Sequence, residues 1–263
     1  MVSFPFGSPL LPLEQQDRTP KKLFVLGVYA SAVHARWLGP DGRELVKALA
    51  IASEPEIFWT GEDAAAIIKL ISIPLGAGRL EEPKPPTLNG PSGRSLDQDY
   101  LHPLGITRQQ AWLCDLLPES RLNAAQRAKL EQHYVPRMKQ WALPPYTIEP
   151  VEKARKQLTD ASRREQIAAQ VVQSQCQLLV TLGDEPLRWF TRFFGSRRKL
   201  REYVTEPHHY GDHHKLTVAG HQLELLPLVH PRQAAGHGRS SLGWGRIHRD
   251  WKARLGLDRV SER

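Results

Sequence analysis

The sequence predicts an α/β sandwich around a largely parallel sheet, and two observations predict it. Short apolar runs such as LFVLGVYAS and CQLLVTLG have strand length, and they alternate with longer stretches whose apolar residues recur at helical spacing. Each run also ends in loop-opening residues, a glycine, an aspartate or a His-Pro pair. The chain has 263 residues, 40% hydrophobic and 24% charged, enough for one sizeable core.

The elements follow in order. Residues 1–20 carry four prolines and no periodicity, which reads as an N-terminal arm, and 21–263 read as a single domain. Lys21-Lys22 lead into a first buried strand ending near Gly27. ARWL, the turn GPDG and RELVKALAIA form a hairpin over Arg36–Ala52. Glu62–Leu75 has helical spacing and stops at Pro74 and Gly76. Residues 77–93 are a Pro/Gly-rich loop, followed by a short helix over Ser95–Leu104 and a strand reaching Asp115. Asn123 caps a helix over about 124–142, and Pro150 opens another to about Gln175. CQLLVTLG is a buried strand, Asp184–Phe194 a helix, and HKLTVAGHQLELLPLVHP one or two strands ending at His230-Pro231. A final helix spans about Ser240–Leu255.

Composition excludes several classes. No apolar run is long enough for a membrane span. The start lacks basic residues before its apolar stretch, so no secretory signal is expected. Two cysteines, Cys114 and Cys176, cannot build a disulfide framework, a four-cysteine zinc site or an all-cysteine iron–sulfur cluster. A reducing cytoplasm is the expected location. The net charge is +8, and residues 187–263 hold 15 Lys/Arg against 7 Asp/Glu, so the whole excess lies there. A localised basic surface suits a phosphate backbone, although it also suits a solvated tail.

Four segments, in order, resemble the uracil-DNA glycosylase superfamily. LGVYASA (Leu26–Ala32) is similar to its first motif, and Leu88–Pro118 to the middle block of its iron–sulfur branch, without the cluster cysteines. LLVTLGDEPLRWF (Leu178–Phe190) is similar to the strand–Gly–helix unit before the last motif, and PLVHPRQAA (Pro227–Ala235) to the closing His-Pro motif. The resemblance implies a three-layer sandwich with a central, mostly parallel four-stranded sheet. It also implies a monomer that flips a base out of double- or single-stranded DNA and hydrolyses its N-glycosidic bond without cofactor or metal.

The same resemblance assigns residues. His230 matches the histidine that stabilises the departing base anion. Asp115 stands where an asparagine reads the base edge, and Tyr29 lines the base pocket. Gly27, Ser31, Leu88, Asn89, Gly90, Ser92 and Gly93 fall in the loops that approach base and backbone, and Arg232 in the loop entering the minor groove. From their residue types alone, Phe58 and Trp59 offer stacking faces or serve the core, and Arg239 offers a phosphate contact. Val28 and Tyr29 occupy positions where the family carries an acid, so water activation falls elsewhere, or the enzyme relies on leaving-group stabilisation, or the chain binds without cleaving. An ionised Asp115 accepts only, which fits the exocyclic amine of cytosine, plain or phage-modified, better than uracil. The role is then repair or antiviral defence, with base excision repair of uracil as an alternative. HHYGDHH (His208–His214) raises the rival of a metal-dependent nuclease, but ligands so close on one loop seldom converge on one ion.

Overall fold

The computed structural model describes residues 2–149, 158–236 and 241–261. Where the sequence reading takes 21–263 together, the described residues of Met1–Leu13, Tyr29–Gly93 and Leu117–Gln157 form one compact unit, unit 1. Those of Glu14–Val28, Arg94–Leu116 and Leu158–Arg263 form unit 2. The strands are β1 (Leu23–Tyr29), β2 (Ala32–Leu38), β3 (Glu44–Ser53), β4 (Arg79–Glu81), β5 (Ala111–Leu117), β6 (Leu178–Leu182), β7 (His214–Val218) and β8 (His221–Leu228). No helix among the described residues is long and apolar enough to cross a membrane.

Unit 2 is the α/β part. Its sheet has the order β5-β1-β6-β8-β7, with β1–β6 and β6–β8 parallel and β7–β8 antiparallel. The sheet therefore has five strands where four are expected, and the fifth follows from a two-residue turn. Ala219 and Gly220 both take positive φ (48° and 84°), the twist that folds β7 back onto β8. β1 and, apart from Thr181, β6 read as apolar runs because strands in the middle of a parallel sheet are covered on both faces. β7, at the edge, alternates instead. The Lys22 amide donates to the Gln110 carbonyl, which sets the starts of β1 and β5 side by side and sends both strands toward the same edge.

Helices complete unit 2. Asp160 caps Ala161–Ser174 by accepting from the Arg163 amide at 2.8 Å, and Gln175, at φ 53°, ends it. The expected start of this helix at Pro150 lies outside the described residues. Ile167 and Val171 are buried, and its Gln170 accepts from the Trp112 indole at 3.1 Å. Trp112 stacks on Phe24 with ring centroids 6.3 Å apart, so its bulk serves the core. The expected helix over Asp184–Phe194 tightens from Asp184–Trp189 into a 3₁₀ turn, Thr191–Phe194, and the last helix is Ser241–Ser261.

Unit 1 holds a three-stranded antiparallel sheet, β3-β2-β4, and the expected hairpin is its β2–β3 pair. β4 arises inside the stretch read as a loop. Gly78, at φ 87°, lets the chain press against β2, since a Cβ there would lie 1.9 Å from the Leu38 carbonyl oxygen. Residues 2–13 are not a loose arm. Phe4 is fully buried, and Phe6 packs edge-on to Trp37 and Tyr134 while its amide donates to the Tyr134 hydroxyl at 2.9 Å. The helix expected over 62–75 shortens to Ala64–Lys69, with Leu70 and Leu75 exposed beyond it. The helix after Asn123 starts with a capping box to Gln126, then widens to a π turn over Leu130–Tyr134 and tightens at Val135–Arg137. Pro136 lacks the amide that a regular helix would use there.

Candidate functional site

Four sequence-derived candidates belong to unit 2: Gly27, Asp115, His230 and Arg232. Tyr29, Ser31, Phe58, Trp59, Leu88, Asn89, Gly90, Ser92 and Gly93 belong to unit 1, and Arg239 lies outside the described residues.

His230 follows β8 and caps the short helix Pro231–Ala234. Its Nδ1 accepts from the Arg232 amide at 3.2 Å. An Nδ1 that accepts has no proton, so the neutral ring carries its hydrogen on Nε2. Burial, and then the Arg232 charge, lower the His230 pKa to about 4, so the ring stays neutral at pH 7. Nε2–H is a donor with no hydrogen-bond partner among the described residues. Gly183, at the end of β6, packs closely against the backbone and Cβ of His230. A Cβ on it would stand 3.2 Å from the His230 Cβ, and its φ of 89° favours glycine.

The backbone before His230 is held from two sides. The Val229 amide donates to the Tyr210 hydroxyl at 3.1 Å, and the Val229 carbonyl accepts from the Tyr100 hydroxyl at 2.8 Å. The Tyr210 hydroxyl lies 2.7 Å from His248 Nδ1, and His248 Nε2 lies 3.0 Å from the Asp99 carbonyl oxygen. A carbonyl only accepts, so Nε2 holds the hydrogen and Nδ1 accepts from Tyr210. Burial lowers the His248 pKa to about 4, in keeping with that neutral tautomer, and raises both phenols well above the ordinary range. Asp99 is fixed in turn by Lys252 at 2.6 Å and Ser95 at 2.8 Å. Lys252 is thereby an ion-pair partner within the unit.

Asp115 sits on β5 at 4% exposure, with Oδ1 buried and without a hydrogen-bond partner. Burial raises its pKa to about 7 against the opposing Arg163 charge. Arg163 reaches the backbone of this strand, donating to the carbonyls of Asp115 at 2.7 Å and Leu116 at 3.1 Å. Thr181 on β6 likewise keeps a buried Oγ1 with no partner. His214 Nε2, on the edge strand β7, is the third such atom in unit 2. Unpaired buried polar atoms are costly, so such positions are places where function is to be sought, and Asp115 and Thr181 lie on the two strands that flank β1. Cys114 is buried, its thiol pushed up to about 12, and is no nucleophile.

In unit 1 the candidates have structural partners. Asn89, 1% exposed, accepts from the His34 amide at 2.8 Å and donates to the His34 carbonyl at 3.0 Å, so its amide acts as a short extra strand on the edge of β2. A Cβ on Gly90 would meet the Thr60 carbonyl carbon at 2.0 Å, and one on Gly93 the Phe58 carbonyl oxygen at 2.1 Å. Close chain packing explains both glycines. Trp59 is buried and donates to Asp63 at 2.6 Å, and Phe58 is buried at a φ of 53°, so neither ring is an open stacking face. Ser31 and Ser92 are half-buried, Tyr29 is half-buried, and Leu88 is exposed. The Ser31 hydroxyl lies 3.4 Å from Gln126, whose amide also meets His34 Nε2 at 2.9 Å.

No family model matches the chain, and no curated protein matches it. Among the described residues no group of three His, Cys, Asp or Glu is placed to hold a metal ion. In HHYGDHH, His213 pairs with Glu224 at 2.6 Å and His209 meets Thr205 at 2.9 Å. The tyrosine of that run is what matters to the site, through Val229. Sequence reasoning missed Tyr100, Tyr210, His248, Thr181 and Arg163. A tyrosine amid histidines was the one available signal.

Proposed function

We propose that the chain is a DNA glycosylase that hydrolyses the N-glycosidic bond of a flipped base, a cytosine-type or phage-modified base or uracil. The observation that carries this reading is the fixed tautomer of His230. In such a cleavage the bond between base and C1′ breaks, the electron pair leaves with the base, and water adds to the oxocarbenium-like sugar, the proton it releases ending on the base anion. A neutral imidazole whose Nε2–H has no partner donates a hydrogen bond to the departing anion without delivering its proton. Being neutral before the base arrives, the ring needs no counter-charge.

Asp115 is assigned to the base edge. With its pKa near 7 it is a carboxylate for part of the time and a carboxylic acid for the rest. The anion accepts from an exocyclic amine, whereas the acid both donates and accepts, as an amide would. Val28 and Tyr29, standing where the resembled family has an acid, favour a second reading, a DNA-binding module that does not cleave.

The test is base release from oligonucleotides carrying uracil, cytosine, 5-hydroxymethylcytosine or its glucosylated form, in single and double strands. Alkali-labile abasic sites that disappear with His230→Ala support excision. No abasic site on any substrate, with salt-sensitive DNA binding intact, leaves the binding module.

A further inference from the structure

Arg188–Arg201, RWFTRFFGSRRKLR, holds six basic side chains, four aromatic rings and no acid. It covers the end of the Asp184–Trp189 helix, the Thr191–Phe194 turn and the loop after Gly195 in unit 2. The bounding carboxylates are engaged. Asp184 accepts from the Leu200 amide at 2.8 Å and Glu202 from the Arg198 amide at 2.9 Å. Glu185 accepts from the Trp189 indole at 3.0 Å and lies 3.7 Å from Arg188. Among the described residues no carboxylate is within ion-pair distance of Arg192, Arg198, Lys199 or Arg201. Arg197, Arg198 and Arg201 are exposed.

One ring joins this charge to an apolar surface. Phe193 is 48% exposed, and the guanidinium carbons of Arg164 and Arg192 lie 4.1 and 4.6 Å from its centroid. Two cations against one ring are held in place with no carboxylate partner among the described residues, and part of their ordering entropy is already lost. A run of unneutralised cations repels itself, and a polyanion relieves that repulsion by displacing its own counterions. An exposed ring among arginines is the combination on which unstacked bases settle, while a duplex presents only its phosphates.

We propose that this face of unit 2 is a docking surface for single-stranded nucleic acid, with its cations along the phosphodiester backbone and a base settling on the cluster that Phe193 forms with the Arg164 and Arg192 guanidiniums. It is separate from the His230 assignment and does not rest on base excision. It also places strand binding on side chains other than those of the C-terminal loops.

The test uses the full chain and a labelled oligothymidylate, with fluorescence anisotropy between about 50 and about 200 mM salt. The Arg192→Ala/Arg198→Ala/Lys199→Ala/Arg201→Ala variant is expected to bind more weakly, its log–log salt slope shallower by about 0.7 for each phosphate contact removed. Phe193→Ala is expected to weaken the oligothymidylate about fivefold or more and a duplex of equal length much less. Arg198→Glu/Arg201→Glu, both at exposed positions, repeats the test where the fourfold variant unfolds in a melting control. Unchanged affinity and slope in the charge variants overturn the proposal. So does displacement of the oligothymidylate by polyglutamate as readily as by unlabelled strand, which assigns the surface to acidic protein. Base release on the same samples keeps the two readings apart: wild type that shows the slope but releases no base defeats excision and leaves this surface standing.

Discussion

The hydroxyl of Tyr210 stands 2.7 Å from Nδ1 of His248, and the same oxygen accepts the Val229 amide at 3.1 Å. One phenol thus passes a hydrogen-bond direction from the Ser241–Ser261 helix to the residue before His230. Tyr210→Phe removes it and leaves two buried groups unpaired, the Val229 N–H and His248 Nδ1. The expected cost is about 2–4 kcal/mol of folding stability, from about 1–3 kcal/mol for each orphaned group. Urea denaturation measures it. A loss below 0.5 kcal/mol, on the order of experimental error, would show that the chain does not hold this corner. If the corner also aims His230, base release by Tyr210→Phe falls in kcat more than in KM.

Acid tests the neutral histidines. His34, His230 and His248 have pKa values lowered from 6.5 to about 4, mainly by burial. The unfolded chain therefore binds more protons than the folded one below pH 6.5, and stability falls as pH drops from 6.5 toward 4. Asp115 works the other way. Its pKa is raised from 3.8 to about 7, so its contribution is full below pH 3.8 and is lost as pH rises to 7. Asp115→Asn removes that loss. The variant is expected to gain on wild type by about 2 kcal/mol between pH 4 and 7, given about 1.4 kcal/mol for each tenfold change in an acid constant and some relaxation around the buried group. Urea midpoints across this range decide it, and parallel curves for the two proteins would refute it.

The strands of the parallel sheet were legible because their cause is local. A strand buried on both faces is apolar along most of its length, as Leu23–Leu26 and, apart from Thr181, Leu178–Leu182 are. The packing of residues 2–13 was not, because Phe4 and Phe6 gain their meaning only from Trp37 and Tyr134, far along the chain. Short β4 was hidden by its Pro/Gly surroundings. In the candidate site, His230 and Asp115 stood out as polar residues ending apolar runs. Their protonation did not, since it depends on burial and on Arg163 and Arg232. The phenol clamp on Val229 pairs residues 19 and 129 positions apart, and no periodicity announces such a pairing.

Gly90 and Gly93 separate packing from ligand binding. The Gly93→Ala methyl would lie 2.1 Å from the Phe58 carbonyl oxygen, and Gly90 adds a φ of 64° to a contact of 2.0 Å. Either change is expected to cost about 3 kcal/mol or more, through overpacking against backbone that has no side-chain freedom to yield. Gly76→Ala is the control: its φ is 84° but nothing lies within 4 Å, so only the left-handed cost of about 1–2 kcal/mol remains. Thermal denaturation of the three variants ranks them. Equal melting temperatures would return Gly90 and Gly93 to a backbone role toward a ligand.

If Asp115 reads the base edge, as proposed, the base preference depends on pH. Below pH 7 the carboxyl is mostly protonated and offers both an O–H donor and a carbonyl acceptor, the pairing that suits the O4 and N3–H of uracil. Above pH 7 it is mostly ionised, repels O4 and accepts from the N4 amine of a cytosine-type base. The ratio of kcat/KM for uracil to that for the cytosine-type base is expected to fall by up to about a hundredfold from pH 6 to pH 8, about 1.4 kcal/mol for each tenfold. His230, whose pKa lies near 4, keeps one protonation state across that interval and contributes no slope. Asp115→Asn holds an amide at every pH, so its ratio should stay flat and favour uracil. A wild-type ratio that does not move, or an Asp115→Asn ratio that moves with it, removes Asp115 from the base edge.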